Sequence, residues 1–281
     1  LIIRSLEAIP YKGLFYIGKV LALLVHTLPN KHKRISKANL ELVFPHKTSL
    51  QINSILRDSL FHSIMNILEA GLVWGKQGYK KKPGFINIKN FSEIETALSS
   101  DKGVLLFTPH IGNIEIIINF LGQHTDCTIP YTQPKHKGLD KIITNSRNKS
   151  GVKMVDINVS GIKEMLAALK NKKLAAVASD QVPKKGAGII SKFFNNEIYS
   201  MTLLPKLQQR TGCVAYLMYC ERKEKGEGFV IHFDRKIDLS SNIQEGVDKM
   251  NNEFEKCIMK IPEQYSWEYK KFKRNNKESI Y

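Results

Sequence analysis

The sequence predicts an α/β fold, in which a mainly parallel sheet is flanked by helices and preceded by a helical extension at the N-terminus. The first reason is that short apolar runs alternate with helix-length segments from about residue 84 onward, a pattern typical of βαβ units. The second is a long amphipathic segment at 50–73, ahead of the alternating region. The third is that no internal repeat or low-complexity linker divides the sequence. We therefore expect a membrane-associating helical extension at 1–80 and a single compact α/β core at 81–281, long enough to bury a substantial interior.

The individual elements follow from local apolar patterns. The stretch 13–29 is predicted to be helical, 30–46 to form a basic turn, and 50–73 to form one long amphipathic helix. Strands are expected at 85–89, 103–107, 127–131, 152–157, 174–179, 213–220 and 229–233. Helices are expected between them at 92–99, 113–122, 138–149, 161–171 and 199–211, with a last helix at 243–260.

The apolar stretch 13–29 has two interpretations. It contains Lys19 and His26, and it is short for a bilayer span, which needs about 20 apolar residues. One interpretation is a buried core helix. The other is an interfacial helix on a membrane, or the remnant of an anchor.

The charge of the protein indicates an anionic partner. Lys and Arg number 43 against 26 Asp and Glu, for a formal net charge of +17. A surplus of this size suits nucleic acid, anionic lipid or an acidic protein. Nucleic acid is disfavoured, because the sequence has no RNP-type aromatic motif, zinc-finger pattern or helix-turn-helix signature.

The cysteines do not predict a metal site. They form no C-x2-C pair, so neither zinc nor any other metal is expected. We interpret them as reduced core thiols of a cytosol-facing protein. They are Cys127, Cys213, Cys220 and Cys257.

The chemistry of the chain is suggested by the motif at 107–115, which reads FTPHIGNIE. His110 follows a predicted strand, and ligands bind beyond the carboxyl ends of strands in open α/β sheets. Glu115, in the first turn of the next helix, is expected to hold one imidazole nitrogen while the other removes a proton from an alcohol. No G-x-S-x-G elbow supplies a nucleophile, which favours direct attack by the activated hydroxyl. The alternative is a helix cap by His110, with Glu115 favouring the helix dipole.

Five segments in order resemble those of the lipid A late acyltransferases, the lauroyl/myristoyl branch of the lysophospholipid acyltransferase superfamily. The second contains the H-x4-E motif of His110 and Glu115. Together they span nearly the whole chain. They are RISKANLELVFP (34–45), TPHIGNIE (108–115), SRNKSG (146–151), ASDQVPKKGAGIISKFFNNEIYSMT (178–202) and IPEQYSWEYKKFKR (261–274).

The resemblance implies a glycerolipid acyltransferase-like fold and an enzyme without cofactor or metal. It implies transfer of a fatty acyl chain from acyl carrier protein to a hydroxyl of a phosphorylated lipid A precursor, the secondary acylation of lipopolysaccharide biosynthesis. The place implied is the cytoplasmic face of the bacterial inner membrane, an anionic surface. Another glycolipid acceptor, a basic nucleic-acid-binding protein and an inactive membrane scaffold remain as alternatives.

The resemblance also implies roles for individual residues, with His110 as general base hydrogen-bonded to Glu115. Arg147 offers a planar fork of donors suited to lipid phosphate, although a surface salt bridge is the alternative. Lys184, with basic clusters at 31–37 and 270–277, is expected to dock anionic substrates or membrane. The predicted substrate-binding residues are Gly112, Asn113, Arg147, Asp180, Gln181 and Lys184.

Asp180 and Gln181 follow the apolar run LAAVA, at another predicted strand end. Either they line the same crevice as His110, or they hold their loop through hydrogen bonds to backbone groups.

The sequence departs from the family pattern at three positions. Ile114 stands where Trp is usual, Asn195 where Gly is common, and Lys271 where Arg is usual. We expect these changes to affect acyl-chain or acceptor preference rather than the activity itself.

Overall fold

A seven-stranded sheet forms the centre of the described part of the protein. The computed structural model describes residues 2–75, 82–134, 137–273 and 280–281. In chain order the strands are β1 (Ile86–Lys89), β2 (Val104–Thr108), β3 (Cys127–Tyr131), β4 (Lys153–Asp156), β5 (Leu174–Ala178), β6 (Gly188–Phe193), β7 (Asn196–Met201), β8 (Val214–Arg222) and β9 (Phe229–Ile237).

The strand order of this sheet is β1-β9-β8-β2-β5-β3-β4. All neighbouring pairs are parallel except β8 and β9, which run antiparallel. The predicted α/β class with a mainly parallel sheet is therefore confirmed, and each predicted strand has a counterpart. Strand β2 lies in the middle of the sheet, so its carboxyl end is flanked by elements on both sides.

Strands β6 and β7 form a separate antiparallel hairpin that the sequence analysis missed. Phe193 pairs with Asn196 across a two-residue turn, and Phe194 and Asn195 both have positive φ, at 47° and 59°. Such turns favour Asn or Gly, because both central residues adopt left-handed conformations. The predicted helix 199–211 therefore began too early, since its first residues belong to β7.

The helices cover both faces of the sheet. The predicted basic turn at 30–46 is wrong for most of its length, because a helix begins after Asn30, whose side chain accepts a hydrogen bond from the backbone N–H of Lys33 at 2.8 Å. The helices are α1 (Ile2–Ala8), α2 (Tyr11–Thr27), α3 (Lys31–Val43), α4 (Ser49–Leu68), α5 (Ala70–Trp74), α6 (Phe91–Leu98), α7 (Ile114–His124), α8 (Lys137–Ser150), α9 (Val159–Lys170), α10 (Leu203–Thr211) and α11 (Ile243–Lys260).

The sheet separates two hydrophobic cores, and successive residues of β2 alternate between them. Leu105 and Phe107 enter one core, to which α3 and the first half of α4 contribute. Val104 and Leu106 enter the other, together with α2 and the end of α4. The N-terminal helices thus pack directly on the α/β core. The boundary predicted at residues 80 and 81 involves Lys80 and Lys81, which lie outside the described residues.

Helix α2 is apolar on two sides. Its buried face includes Leu14, Phe15 and Ala22, which pack inward. Its opposite face leaves apolar side chains more than half exposed. Within the described residues no helix combines the length and apolar character needed to cross a bilayer. The exposed side chains include Tyr16, Val20, Leu23, Leu24 and Leu28.

Candidate active site

The register of two neighbouring strands brings His110 and Asp180 together. Strands β2 and β5 are parallel, and Thr108 lies opposite Ala178 at their carboxyl ends. His110 lies two residues after Thr108, and Asp180 lies two residues after Ala178. Both residues are therefore at the same edge of the sheet. The backbone N–H of Ser179 donates to the carbonyl of Thr108 at 3.2 Å, which continues the strand pairing into the two loops.

His110 and Asp180 form a hydrogen-bonded pair. The imidazole Nδ1 lies 2.5 Å from Asp180 Oδ1, and Oδ2 accepts the backbone N–H of His110 at 3.1 Å. Asp180 is buried, whereas the His110 side chain is 29% exposed. A carboxylate at Nδ1 holds the proton there, so Nε2 carries the lone pair. Gln181 Nε2 lies 3.3 Å from His110 Nε2.

The electrostatics of the pair favour an ionised Asp180. Burial lowers the pKa of His110, but the charge and hydrogen bond of Asp180 outweigh it and leave that pKa above its ordinary value. Burial raises the pKa of Asp180, yet His110 and Lys271 together hold it well below its usual range. The imidazole is therefore a stronger base than a free histidine.

The carboxylate of Glu115 is bound to Arg147 rather than to His110. Arg147 Nε donates to Glu115 Oε2 at 3.2 Å, and Nη2 donates to Oε1. Both side chains are largely buried, and the guanidinium lies 4.7 Å from the ring centre of Tyr131. The expected hydrogen bond between His110 and Glu115 is therefore absent from this arrangement. His110 instead pairs with Asp180, in the loop after β5, and Glu115 pairs with Arg147, on α8. Arg147 forms a salt bridge, as the alternative interpretation expected, but in a largely buried position rather than at the surface. Its predicted contact with lipid phosphate stays a prediction.

Gly112 and Asn113 turn the chain between β2 and α7. Gly112 has φ of 59°, and a Cβ there would lie 1.8 Å from the carbonyl oxygen of Cys220, so only glycine fits. Asn113 caps α7 by accepting the backbone N–H of Glu115 at 2.9 Å. Its amide also donates to Glu69 at 2.7 Å. The structure therefore gives both residues contacts within the protein, and their predicted substrate contacts stay predictions.

Comparison with known proteins decides the family. The family model described as bacterial lipid A biosynthesis acyltransferase matches residues 1–274. The chain belongs to this family. It is similar to the lipid A biosynthesis palmitoleoyltransferase of Escherichia coli K12 (21% identical, covering 94% of this chain and 86% of the relative). It is also similar to the E. coli K12 lipid A biosynthesis lauroyltransferase (23%, 94% and 87%) and to a lipid A biosynthesis acyltransferase of Haemophilus influenzae (25%, 96% and 87%). The predicted family is confirmed, and the protein is an acyltransferase of lipid A biosynthesis.

In this acyltransferase the loop carrying His110 is held on its second side by the C-terminal segment. The backbone N–H of Gly112 donates to the carbonyl of Gln264 at 3.0 Å, and that of Ser266 donates to the carbonyl of His110 at 3.0 Å. Ile111 and Tyr265 form an isolated antiparallel bridge. The His110 loop is therefore clamped between the loop after β5 and residues 264–266.

Helix α3 in turn holds the C-terminal segment. The Asn39 amide donates to the carbonyls of Trp267 and Tyr269, at 2.6 and 2.9 Å. The hydroxyl of Tyr269 accepts the backbone N–H of Val182 at 2.9 Å, beside Asp180. The family-like segment at 34–45 and the described part of the segment at 261–274, residues 261–273, thus contribute to the site by fixing the backbone around the His110–Asp180 pair.

A buried ion pair between Glu69 and Arg222 lies behind the site, and the sequence analysis missed it. Both side chains are fully buried. Arg222 donates to both carboxylate oxygens of Glu69 at 2.7 Å and to Asn66 at 2.7 Å. Tyr11, on the half-exposed helix α2, donates to Glu69 at 2.7 Å. No spacing pattern marks these residues in the sequence, because they come from helices and a strand far apart in the chain.

Two other predicted substrate-binding residues lie in the loop that follows Asp180. Gln181 and Lys184 are exposed in the loop between β5 and β6.

The four cysteines are free and buried, as predicted, and burial raises the pKa of Cys220 to about 12. Among the described residues no group of three His, Cys, Asp or Glu side chains could hold a metal ion.

Proposed function

We propose that the protein transfers a fatty acyl chain from acyl carrier protein to a hydroxyl of a phosphorylated lipid A precursor, with His110 as general base. The observation that carries this proposal is the 2.5 Å contact between His110 Nδ1 and Asp180, at the carboxyl ends of adjacent strands. It fixes the imidazole so that Nε2 is the basic nitrogen, on a side chain that is partly exposed.

The proposed reaction is a single displacement. His110 Nε2 takes the proton of the acceptor hydroxyl as its oxygen attacks the thioester carbonyl. The C–O bond of the new ester forms, the C–S bond breaks, and the thiolate leaves with the proton that His110 then returns. Asp180 remains ionised and stabilises the imidazolium formed during transfer.

We assign Glu115 a role through Arg147. A guanidinium has five N–H donors, and Glu115 accepts two of them. The remaining donors suit an acceptor phosphate. In this proposal Glu115 orients Arg147, while Gln181 and Lys184 contact substrates at the opening.

The proposed transfer has no acyl-enzyme, and the state of the four thiols supports this for cysteine. A nucleophilic cysteine needs a lowered pKa, whereas burial raises the pKa of Cys127, Cys213, Cys220 and Cys257. Each of these four thiols is buried.

The proposed place of action is the cytoplasmic face of the bacterial inner membrane. The exposed apolar face of α2 is followed at once by α3, on which Lys31, Arg34 and Lys37 are exposed. Apolar burial combined with basic residues is the combination that binds anionic bilayers at their interface. We expect sedimentation with vesicles containing anionic lipid, and substitution of Val20 and Leu24 by Asp should reduce it. Full release of the wild type by salt alone would contradict an apolar contribution.

The function is tested with purified protein, a labelled acyl chain on acyl carrier protein, and a phosphorylated lipid A precursor. Labelled product should form, and His110→Ala should lower turnover roughly 10²–10⁴-fold. His46→Ala, which removes an exposed histidine, is the control and should match the wild type.

The donor and acceptor are tested separately. The same chain on coenzyme A should be a poorer donor at low salt, because an acidic carrier is attracted to a protein of charge +17. Equal rates with both donors would contradict carrier docking. Transfer only to a different glycolipid would be consistent with His110 as general base but would refute the lipid A precursor as the acceptor. Nucleic acid binding without any acyl transfer would refute the proposal altogether.

A further inference from the structure

Lys271 is a buried cation beside the His110–Asp180 pair. The residue is 5% exposed. Its Nζ donates a hydrogen bond to the backbone carbonyl of Asp180. The same ammonium lies 4.4 Å from the ring centre of Phe193, a buried residue of β6. One donor therefore fixes the loop that carries Asp180, and the aromatic face stabilises the desolvated charge.

The charged groups around Lys271 come from several elements. The carboxylates of Asp180, after β5, and Glu255, on α11, attract it. Two charges besides that of Asp180 act on His110: Lys271 lowers its pKa, and the carboxylate of Glu268 raises it. Burial lowers the pKa of Lys271 to about 8, with the two carboxylates opposing that shift. The side chain is therefore predominantly charged at neutral pH despite its burial.

Burial of the Lys271 ammonium costs desolvation free energy, which an apolar side chain of similar volume would avoid. Two features of the structure indicate what the buried charge does. Lys271 contacts the backbone of the residue that orients His110, and its charge opposes protonation of His110, whereas Asp180 and Glu268 favour it. Without this cation, only burial would oppose the two carboxylates that favour protonation of His110.

We propose that Lys271 is a positioning residue for the general base: its ammonium group fixes the Asp180 loop and balances the carboxylates that act on His110. The inference rests on the proposed role of His110. It predicts that the charge of Lys271 lowers the pKa of His110 and so favours the unprotonated imidazole that a general base requires. It assigns no contact with substrate to Lys271.

The proposal is tested by titrating the His110 imidazole by NMR and by measuring kcat against pH. The variants are Lys271→Met, which removes the charge, and Lys271→Arg, which keeps it. Lys206→Met is the control, since it removes an exposed cation from α10, outside the basic clusters. The His110 signals are identified by their loss in His110→Ala.

Lys271→Met should raise the titration midpoint of His110 and move the acid limb of the kcat profile to higher pH. It should also lower kcat by about tenfold or more, the factor that corresponds to losing one charge-assisted hydrogen bond. Lys271→Arg and Lys206→Met should retain the wild-type midpoint. A purely structural role would change thermal stability and leave the midpoint where it is.

An unchanged midpoint and kcat in folded Lys271→Met would overturn the inference. If that variant does not fold, Lys271→Gln carries the test through the midpoint alone: it removes the charge, while its amide can still donate to the Asp180 carbonyl. An unmoved midpoint in folded Lys271→Gln would overturn the inference. The proposed function fails separately, through wild-type turnover in His110→Ala. An inactive His110→Ala beside an unmoved midpoint in Lys271→Met would therefore refute only the role of Lys271.

Discussion

Replacing Asp180 by Asn decides which carboxylate activates His110. Asn has nearly the same shape, but it carries no charge and has one acceptor oxygen where Asp180 has two. Asp180 now accepts from both Nδ1 and the backbone N–H of His110. In the variant one of these donors would face the amide NH₂, so the imidazole loses either its orientation or its tautomer. The matched variant is Glu115→Gln, which alters the carboxylate that Arg147 holds.

The expected loss in Asp180→Asn has two parts. A hydrogen bond to a charged group contributes about 1.5–3 kcal/mol, which corresponds to a fall in kcat of about 10- to 150-fold. Loss of the productive tautomer adds to this, up to the roughly 10²–10⁴-fold that proton transfer by a positioned base contributes. The pKa of His110 should fall as well, because Asp180 raises it and burial lowers it.

The assay is kcat as a function of pH with both substrates saturating. For a base that must be unprotonated, a lower pKa of His110 moves the acid limb to lower pH. Asp180→Asn should therefore show a lower plateau and an acid limb displaced toward acid. Glu115→Gln should lower activity while leaving the limb in place. The opposite pattern, with the limb moved only by Glu115→Gln, would show that Glu115 becomes the partner of His110 once substrates bind.

Three further predictions concern the surroundings of the site. Arg222→Met leaves Glu69 buried without its partner and should lower the free energy of unfolding by about 3–5 kcal/mol. Urea unfolding measures this loss, and Arg235→Met, at an exposed arginine, is the control that should be nearly neutral. Gly112→Ala should abolish activity, because its Cβ meets the Cys220 carbonyl, whereas Gly84→Ala, with a similar positive φ in open space, should retain it; equal activities would refute the steric argument. Donor supplied without acceptor should leave no labelled acyl group on the denatured protein, and parallel-line kinetics with both substrates varied would contradict direct transfer.

The sequence predicted the strands well because each central strand is a short apolar run. It placed His110 correctly at the end of β2 for the same reason. The hairpin of β6 and β7 was missed, although Asn195 and Asn196 between apolar runs are a turn signal. Helix α3 was missed because its many basic residues obscure a helical pattern, the four-residue spacing of the buried residues Ile35, Asn39 and Val43.

The partner of His110 could not be read from local spacing. Glu115 is close in sequence, but Asp180 is brought close by the pairing of β2 with β5. The order of strands in a sheet is a tertiary property, which a motif of a few residues does not encode. If β2 and β5 had been known to be neighbours, the pair could have been predicted, because His110 and Asp180 each lie two residues beyond the end of their strand.

The contacts of Asn39 with Trp267 and Tyr269 have a consequence for how the protein is made. They join residues separated by 228 and 230 positions, and the loop of His110 completes its backbone hydrogen bonds only with residues 264–266. Contacts so distant in sequence form slowly, since loop-closure entropy opposes them. We therefore expect the His110 loop to acquire its last backbone contacts late in folding. A fragment ending at residue 260 would retain His110 and Asp180 but lack the hydrogen bonds that residues 264 and 266 form with this loop.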